Sequence, residues 1–313
     1  MKDLLYKSFA KTGGDQLVWK LDSSRLRILC YHGVCEDRLA GAPWMPRYFV
    51  TQSAFEAQLQ YLQKNARLLP LAEAVRRLRA GSLPPRSVCL TFDDGYANNL
   101  RLAYPLLQKY AAPATIFLSS AYIESGDFYP FLKVKLIHLS GGRPPEYKSN
   151  PVDAVMEGAK TWWPQVESEL TLDQRDSLRA MTIEELRTAD PRLLDFGAHS
   201  HTHCILKNET AERRRQEIRT SVRKVAEWTG RPARLFSYPN GETGDFNEAD
   251  KAALRAEGVE AAVTGVGGAN DSSFDAFELK RYPLTLYHDA ARFRAEVTGF
   301  RSALLSATGR MSA

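Results

Sequence analysis

The sequence predicts an α/β fold, an irregular and incomplete (β/α) barrel with its helices outside the sheet. Three observations lead there. Short apolar strand patterns alternate with segments of helical period, fewer clear strands than eight can be counted, and the unusual polar residues fall just after strand patterns, at the carboxyl ends where barrels carry their sites.

The elements follow in order. The first stretch, MKDLLYKSFAKTGGDQLVWKL, carries charged or polar groups every few residues and is expected to be neither a signal peptide nor a membrane span. Leu4, Leu5 and Phe9 with Lys2, Lys7 and Lys11 read either as a short packing helix or as a weak basic amphipathic helix at a membrane surface. Residues 1–25 are taken as an N-terminal extension, 26–300 as one barrel domain and 301–313 as a C-terminal tail. A strand is expected at 26–31. Ser53 and Glu56 form a capping box for a helix with Phe55, Leu59 and Leu62 on one face; Leu71, Val75 and Leu78 mark another that ends near Gly81.

Residues 86–120 form the clearest unit. Val88, Leu90 and Phe92 alternate as a strand, Ala97 to Tyr110 suit a helix with Pro105 near a kink, and Thr115 to Leu118 give a second strand, together a βαβ unit. Residues 124–180 then interrupt the alternation with Gly, Pro and aromatics of no steady period. They read as an insertion, either a lid over the barrel mouth or a surface excursion without substrate contact. Strands resume at 193–198, 234–238 and 259–264, and Ile218, Val222, Val225 and Trp228 set the face of a helix that stops at Gly230.

Composition narrows the function classes. In 313 residues, 42 Lys+Arg against 37 Asp+Glu leave a net charge of +5, too small a surplus to predict a nucleic-acid partner. The 44% hydrophobic content is that of a globular protein and excludes disordered and collagen-like chains. Four cysteines at 30, 35, 89 and 204 match no zinc or redox pattern and are expected as buried free thiols. A cytoplasmic protein is expected, with peripheral membrane contact left open.

Four strand ends converge on one rim: His32; Asp93 and Asp94; His199, His201 and His203; and Tyr238, Pro239 and Asn240. His199 and His203 are four apart, so a helical turn there would face both imidazoles the same way. That is a metal-ligand spacing, and an acidic pair at another strand end supplies a third ligand while leaving coordination positions open. Of two adjacent carboxylates, one can bind the metal and the other take a proton from water. Asp93-Asp94-Gly95 on its own reads as a helix cap and turn; beside the histidines the chemical reading wins.

TFDDG at 91–95, HSHTH at 199–203 and FSYPNG at 236–241, in that order, resemble the polysaccharide deacetylases, the NodB-homology carbohydrate esterases. YHGV at 31–34 and Leu-Lys-Arg at 279–281 resemble a bacterial branch associated with exopolysaccharide synthesis. The resemblance implies a distorted, incomplete (β/α) barrel of about seven strands that holds a divalent metal, Zn2+ first among Co2+, Ni2+ and Fe2+, and removes acetyl groups from the amino sugars of a glycan. By position it makes Asp94, His199 and His203 the metal ligands and Asp93 the general base toward the metal-bound water. It gives Asn240 the backbone N–H of an oxyanion hole, with Tyr238 and Pro239 beside it at the substrate. His201 is expected at the rim and not on the metal.

Two departures stand out. Many members begin the third motif with an Arg that orients the catalytic Asp, where this chain has Ser237; Arg281 is the candidate for the missing cation. His288 superficially resembles the family's general-acid histidine, but Asp289 to Val297 reads as a surface helix with Phe293 and Val297 inward. Tyr96, Phe128, Tyr129, Trp162, Trp163 and Tyr238 are available to stack on sugars, although core packing is the better expectation for each. Alternatives are an O-acetyl esterase or other amide hydrolase on the same scaffold, or a non-catalytic carbohydrate-binding protein.

Overall fold

A computed structural model describes residues 2–301; Met1 and most of the expected tail, 302–313, lie outside the described residues, as do the side chains of Lys2, Leu4 and Leu5. Seven parallel strands close into a ring: Arg27–Tyr31, Ser87–Phe92, Ala114–Leu118, Leu194–Ala198, Leu235–Ser237, Ala261–Gly267 and Leu279–Pro283, the last pairing back to the first at Leu29 and Tyr282. The ring is one strand short of eight. A two-residue strand, Arg67–Leu68, lies beside Ser87 and Val88.

The distortion has local causes. The fourth and fifth strands share one register pair, Ala198 with Phe236, and the sixth and seventh slip register between Leu279 and Arg281. Every other position on each strand points inward. At the amino end the inward residues are apolar: Ile28, Cys89, Phe117, Leu235, Val263 and Leu279 pack together as a plug. Two positions further along the same strands stand Cys30, Thr91, Ser237 and Arg281, and Asp93 follows just past the end of the second strand, all buried. The inward row thus changes from oil to polar groups as it nears the carboxyl end. Outward residues such as Leu29, Tyr31, Leu90, Phe92, Ile116 and Phe196 join the larger core under the helices, against Phe55, Leu59, Ile218, Val222 and Val225.

The helices follow the expected periods, with two local corrections. The helix Gln52–Asn65 is capped by Thr51, whose Oγ1 accepts from the Ala54 N–H at 3.2 Å. Ser53 is already helical and donates its hydroxyl to Asp37, while Glu56 accepts from Lys109 Nζ at 2.6 Å and Tyr110 Oη at 2.9 Å, so the Ser53–Glu56 box does not form. Before Pro105 the chain makes a π-helical stretch, Asn99–Ala103, then α-helix over Tyr104–Lys109; a widened turn accommodates a ring that offers no N–H. Helix Ala211–Thr229 ends, as read, on Gly230 in the left-handed region at φ 66°.

At the N-terminus, helices Lys2–Lys11 and Gly14–Leu21 pack on the end of the domain. Phe9 stacks on Phe300 with ring centroids 3.6 Å apart, and Asp15 accepts from Arg294 Nε at 2.6 Å. No helix among the described residues is long and apolar enough to cross a membrane. All four cysteines are buried and free.

Candidate active site

The polar carboxyl end of the barrel opens into a cavity of about 360 Å³. Its lining includes His32, Asp93, Asp94, His199, His203, Asn240 and Arg281. Six of the eight residues assigned site roles from sequence therefore meet in one place. Tyr238 and Pro239 do not line it: the Tyr238 ring is buried and stacks on Phe246, centroids 3.8 Å apart. The chain turns at this point, so the side chain of Asn240, and not that of Tyr238, faces the opening.

Asp93 and Asp94 part company because the backbone reverses between them. Asp94 and Gly95 both adopt left-handed φ, 73° and 71°, and Tyr129 Oη donates to the Asp94 carbonyl, holding a conformation costly for a residue with a Cβ. Gly95 is required there twice over, since a Cβ would also stand 2.5 Å from Leu118 Cδ2. The result sends the Asp93 carboxylate into the barrel and the Asp94 carboxylate toward the histidines.

The histidine pair meets without the expected helical turn. Residues 199–203 form no helix; instead Ser200 and His203 take left-handed φ of 56° and 55°, folding the segment so that the two rings lie 4.8 Å apart between centroids. His199 Nε2 and His203 Nε2 stand 3.5 and 3.0 Å from Asp94 Oδ1. The opposite ring nitrogens set the tautomers. His199 Nδ1 lies 2.7 Å from the Ser237 carbonyl, an acceptor only, so Nδ1 carries the proton. Tyr147 Oη gives its single proton to the His203 carbonyl and accepts from His203 Nδ1 at 2.7 Å. Both neutral imidazoles thus turn a bare Nε2 lone pair toward Asp94 Oδ1, a buried carboxylate oxygen that accepts no hydrogen bond. Three acceptors facing one another in a dry site are mutually repulsive unless a cation sits among them. The donor set, two imidazoles and one carboxylate with their outer nitrogens fixed, fits a divalent metal with open coordination positions.

Asp93 is held differently. Arg281 Nη1 and Nη2 donate to its two oxygens, each at 2.7 Å, and Ser237 Oγ lies 3.2 Å from Oδ2 and 3.0 Å from Arg281 Nη2. Arg281 is itself fixed by donating Nε to the Thr264 carbonyl at 2.8 Å. Burial works to raise the Asp93 pKa, but the Arg281 guanidinium outweighs it and holds the carboxyl down at about 2. The serine in the third motif and the arginine of the last strand together occupy the carboxylate's far side.

The loop carrying Asn240 is set by close backbone packing. Asn240 and Gly241 have φ of 59° and 65°, and the Gly265 N–H donates to the Gly241 carbonyl at 2.9 Å. A Cβ at Gly265 would stand 2.3 Å from the Asn240 carbonyl oxygen, so only glycine permits this approach.

Sequence reasoning assigned no site role to several residues of the cavity lining. Phe131, Tyr147 and Lys148 come from the 124–180 insertion, and Tyr48 from the loop after the first strand. The insertion therefore contributes lining to the barrel mouth. No local signal distinguished these aromatics from Tyr96, Phe128, Tyr129 and Trp163, which are core, or from Trp162, which is exposed. His201 hydrogen-bonds Ser120 Oγ at 2.8 Å and lies outside the cavity lining. His288 is also outside it: the Thr285 N–H donates to its Nδ1 at 3.0 Å, and the helix Ala290–Val297 follows at once with Phe293 and Val297 buried. His32, by contrast, lines the cavity beside Asp93 and Asp94, and its buried Nδ1 has no hydrogen-bond partner among the described residues.

A sequence model of polysaccharide deacetylases matches residues 80–262, more than half of the chain, taking in both the Asp93-Asp94 and the His199–His203 motifs. The chain belongs to the polysaccharide deacetylase family. Among curated members, the poly-beta-1,6-N-acetyl-D-glucosamine N-deacetylase of Staphylococcus epidermidis is 37% identical over 92 residues, 29% of this chain and 32% of that protein. The enzyme of the same name from Staphylococcus aureus is 37% identical over 83 residues, 26% of this chain and 29% of that protein. The match thus spans about a third of the length of these relatives. Two solved deacetylase structures share the fold: the Streptococcus pyogenes deacetylase PplD in complex with acetate, TM-score 0.64 at 18% identity over 88% of this chain and 99% of that one, and IcaB from Ammonifex degensii, TM-score 0.58 at 20% identity over 88% and 97%.

Proposed function

We propose that this polysaccharide deacetylase is a metal-dependent N-deacetylase of a poly-N-acetylglucosamine-type glycan, with 26–300 as the catalytic barrel. The observation that carries the reading is the division of labour at TFDDG: Asp94 faces two bare imidazole nitrogens, while Asp93 is gripped by Arg281 and faces the same cavity. A pure binding site has no use for a charged base beside a metal site. The curated relatives act on poly-beta-1,6-N-acetyl-D-glucosamine, which supplies the substrate class.

Asp94, His199 and His203 would hold the metal, with zinc the first candidate on this donor set. A divalent cation there polarises the acetyl carbonyl and acidifies water. Asp93 accepts the proton of the attacking water, and Arg281 and Ser237 keep its carboxylate ionised and aimed. Charge that develops on the acetyl oxygen is met by the Asn240 backbone N–H. When the carbon–nitrogen bond breaks, the departing nitrogen takes a proton; His32, unpartnered at Nδ1 on the cavity wall, is placed to give it, whereas His288 is not. Acetate and a free amine result. The polar contacts and the aromatic walls Tyr48, Phe131 and Tyr147 suit a sugar that presents both hydroxyls and an apolar ring face.

Product analysis tests the proposal. Purified protein incubated with an N-acetylglucosamine oligomer should release acetate and free amine in equal amounts, and chelation should stop both, with metal add-back restoring them. Acetate from O-acetylated glycans alone would reassign the protein as an esterase.

A further inference from the structure

A second set of donor atoms lies in the same cavity. Among the described residues, Cys30 Sγ, a His32 ring nitrogen and an Asp93 carboxylate oxygen fall within 4.8 Å of one another, apart from the Asp94–His199–His203 set. Cys30 is the inward residue of the first strand one layer above the apolar plug, and it lines the cavity, while Cys35, Cys89 and Cys204 do not. Its thiol points at Asp93 Oδ2 from 3.7 Å. For a tetrahedral zinc with bonds of about 2.3 Å to sulfur and about 2.0 Å to oxygen, the sulfur–oxygen edge is about 3.5 Å. The observed separation is thus near that of two ligands of one ion. His32 Nδ1 is buried and without a partner, so the third side chain has donor capacity to spare.

We propose that Cys30, His32 and Asp93 form a second, weaker site for a thiophilic divalent cation, and that an ion there inhibits the enzyme. Binding breaks the Cys30 Sγ–H bond, releases that proton to solvent and forms a sulfur–metal bond; nothing is oxidised or reduced. Two features make it the weaker site. Burial keeps the thiol protonated until a metal displaces the proton, and the Asp93 charge is already shared with Arg281. Softness selects the occupant: thiolate with imidazole favours zinc or cobalt over magnesium or manganese. Inhibition follows because the ion would take the base and His32 together.

The inhibitory consequence rests on the deacetylase reading; the site itself rests only on the donor geometry. Titrating metal-free protein with Co2+ should give two equivalents, the second bringing a thiolate-to-cobalt charge-transfer band in the near ultraviolet. Cys30→Ser and Cys30→Ala should lose that band and the second equivalent while keeping the first. With Zn2+, native activity should rise over the first equivalent and fall in excess, and both variants should lose the fall relative to their own activity at one equivalent. A single equivalent in the native protein, a band that survives Cys30→Ser, or unchanged inhibition by excess Zn2+ in the variants overturns the proposal. Two equivalents with no deacetylase activity at any metal level would instead count against the functional reading and leave the second site standing.

Discussion

Arg281 grips Asp93 through both carboxylate oxygens at 2.7 Å, and the two side chains are 2% and 4% exposed. They lie 188 residues apart in sequence, Asp93 just past the second barrel strand and Arg281 on the seventh, and the first strand separates those two in the ring. A buried pair of this kind recovers little net stability, because desolvating two ions offsets their attraction. Its effect is to hold an ionised carboxylate fixed on the cavity wall.

Replacing Arg281 should therefore reveal a positioning role. Arg281→Lys keeps a charge but loses the two-pronged grip, and Arg281→Gln loses both. Both should lower kcat with little change in KM. Because Arg281 holds the Asp93 pKa down, removing it lets that pKa rise, so the acid limb of the kcat/KM profile should move to higher pH in Arg281→Gln and less in Arg281→Lys. A uniform loss of activity with an unmoved acid limb would mean that Arg281 serves folding alone.

Tyr238 separates packing from binding. Its ring is buried against Phe246 and its hydroxyl is buried without a partner. Tyr238→Phe should leave KM unchanged and be neutral or slightly stabilising, since it removes an unsatisfied group. Tyr238→Ala should lower stability by about 3–5 kcal/mol, as for other large-to-small core changes. Steady-state kinetics and denaturant unfolding read the two effects separately; a raised KM in Tyr238→Phe would restore the substrate role.

Gly265 is the backbone support of the Asn240 loop. Gly265→Ala puts a methyl where the Asn240 carbonyl oxygen stands 2.3 Å away, so the loop must shift. With one oxyanion donor displaced, kcat should fall by about 10²–10³, while metal stoichiometry stays at the native value. Retained kcat in a folded variant would remove the Asn240 N–H from the mechanism.

Much of this was legible in the sequence, for physical reasons. The strands are short, largely apolar runs buried on both faces and ending in polar residues, so 26–31, 88–92, 193–198 and 234–238 announced themselves, and with them the rim residues His32, Asp93, His199 and Asn240. Arg281 was legible only through the family resemblance: Ser237 stands where many members carry an arginine, and the Leu-Lys-Arg motif at 279–281 offered a cation in its place. The turn at His199–His203 was misread because spacing four suggests a helix, whereas Ser200 and His203 take left-handed φ and the two rings are held by Ser237 and Tyr147, 38 and 56 positions away. Tyr48, Phe131 and Tyr147 were not legible at all: an aromatic in an aperiodic stretch has the same appearance whether it fills a core or walls a cavity. Thr51 took the cap from Ser53 because the preceding strand, Val50–Thr51, fixes where the helix can begin.

The most direct test is to measure bound metal and acetate release together in native protein, Asp93→Asn and Asp94→Asn. Asp93→Asn should keep the tightly bound ion and lose turnover by about 10²–10⁴, while Asp94→Asn should lose both ion and turnover. Native-like acetate release from Asp93→Asn, or a tightly bound ion retained in Asp94→Asn, would contradict the assignment of base and ligand on which the account depends.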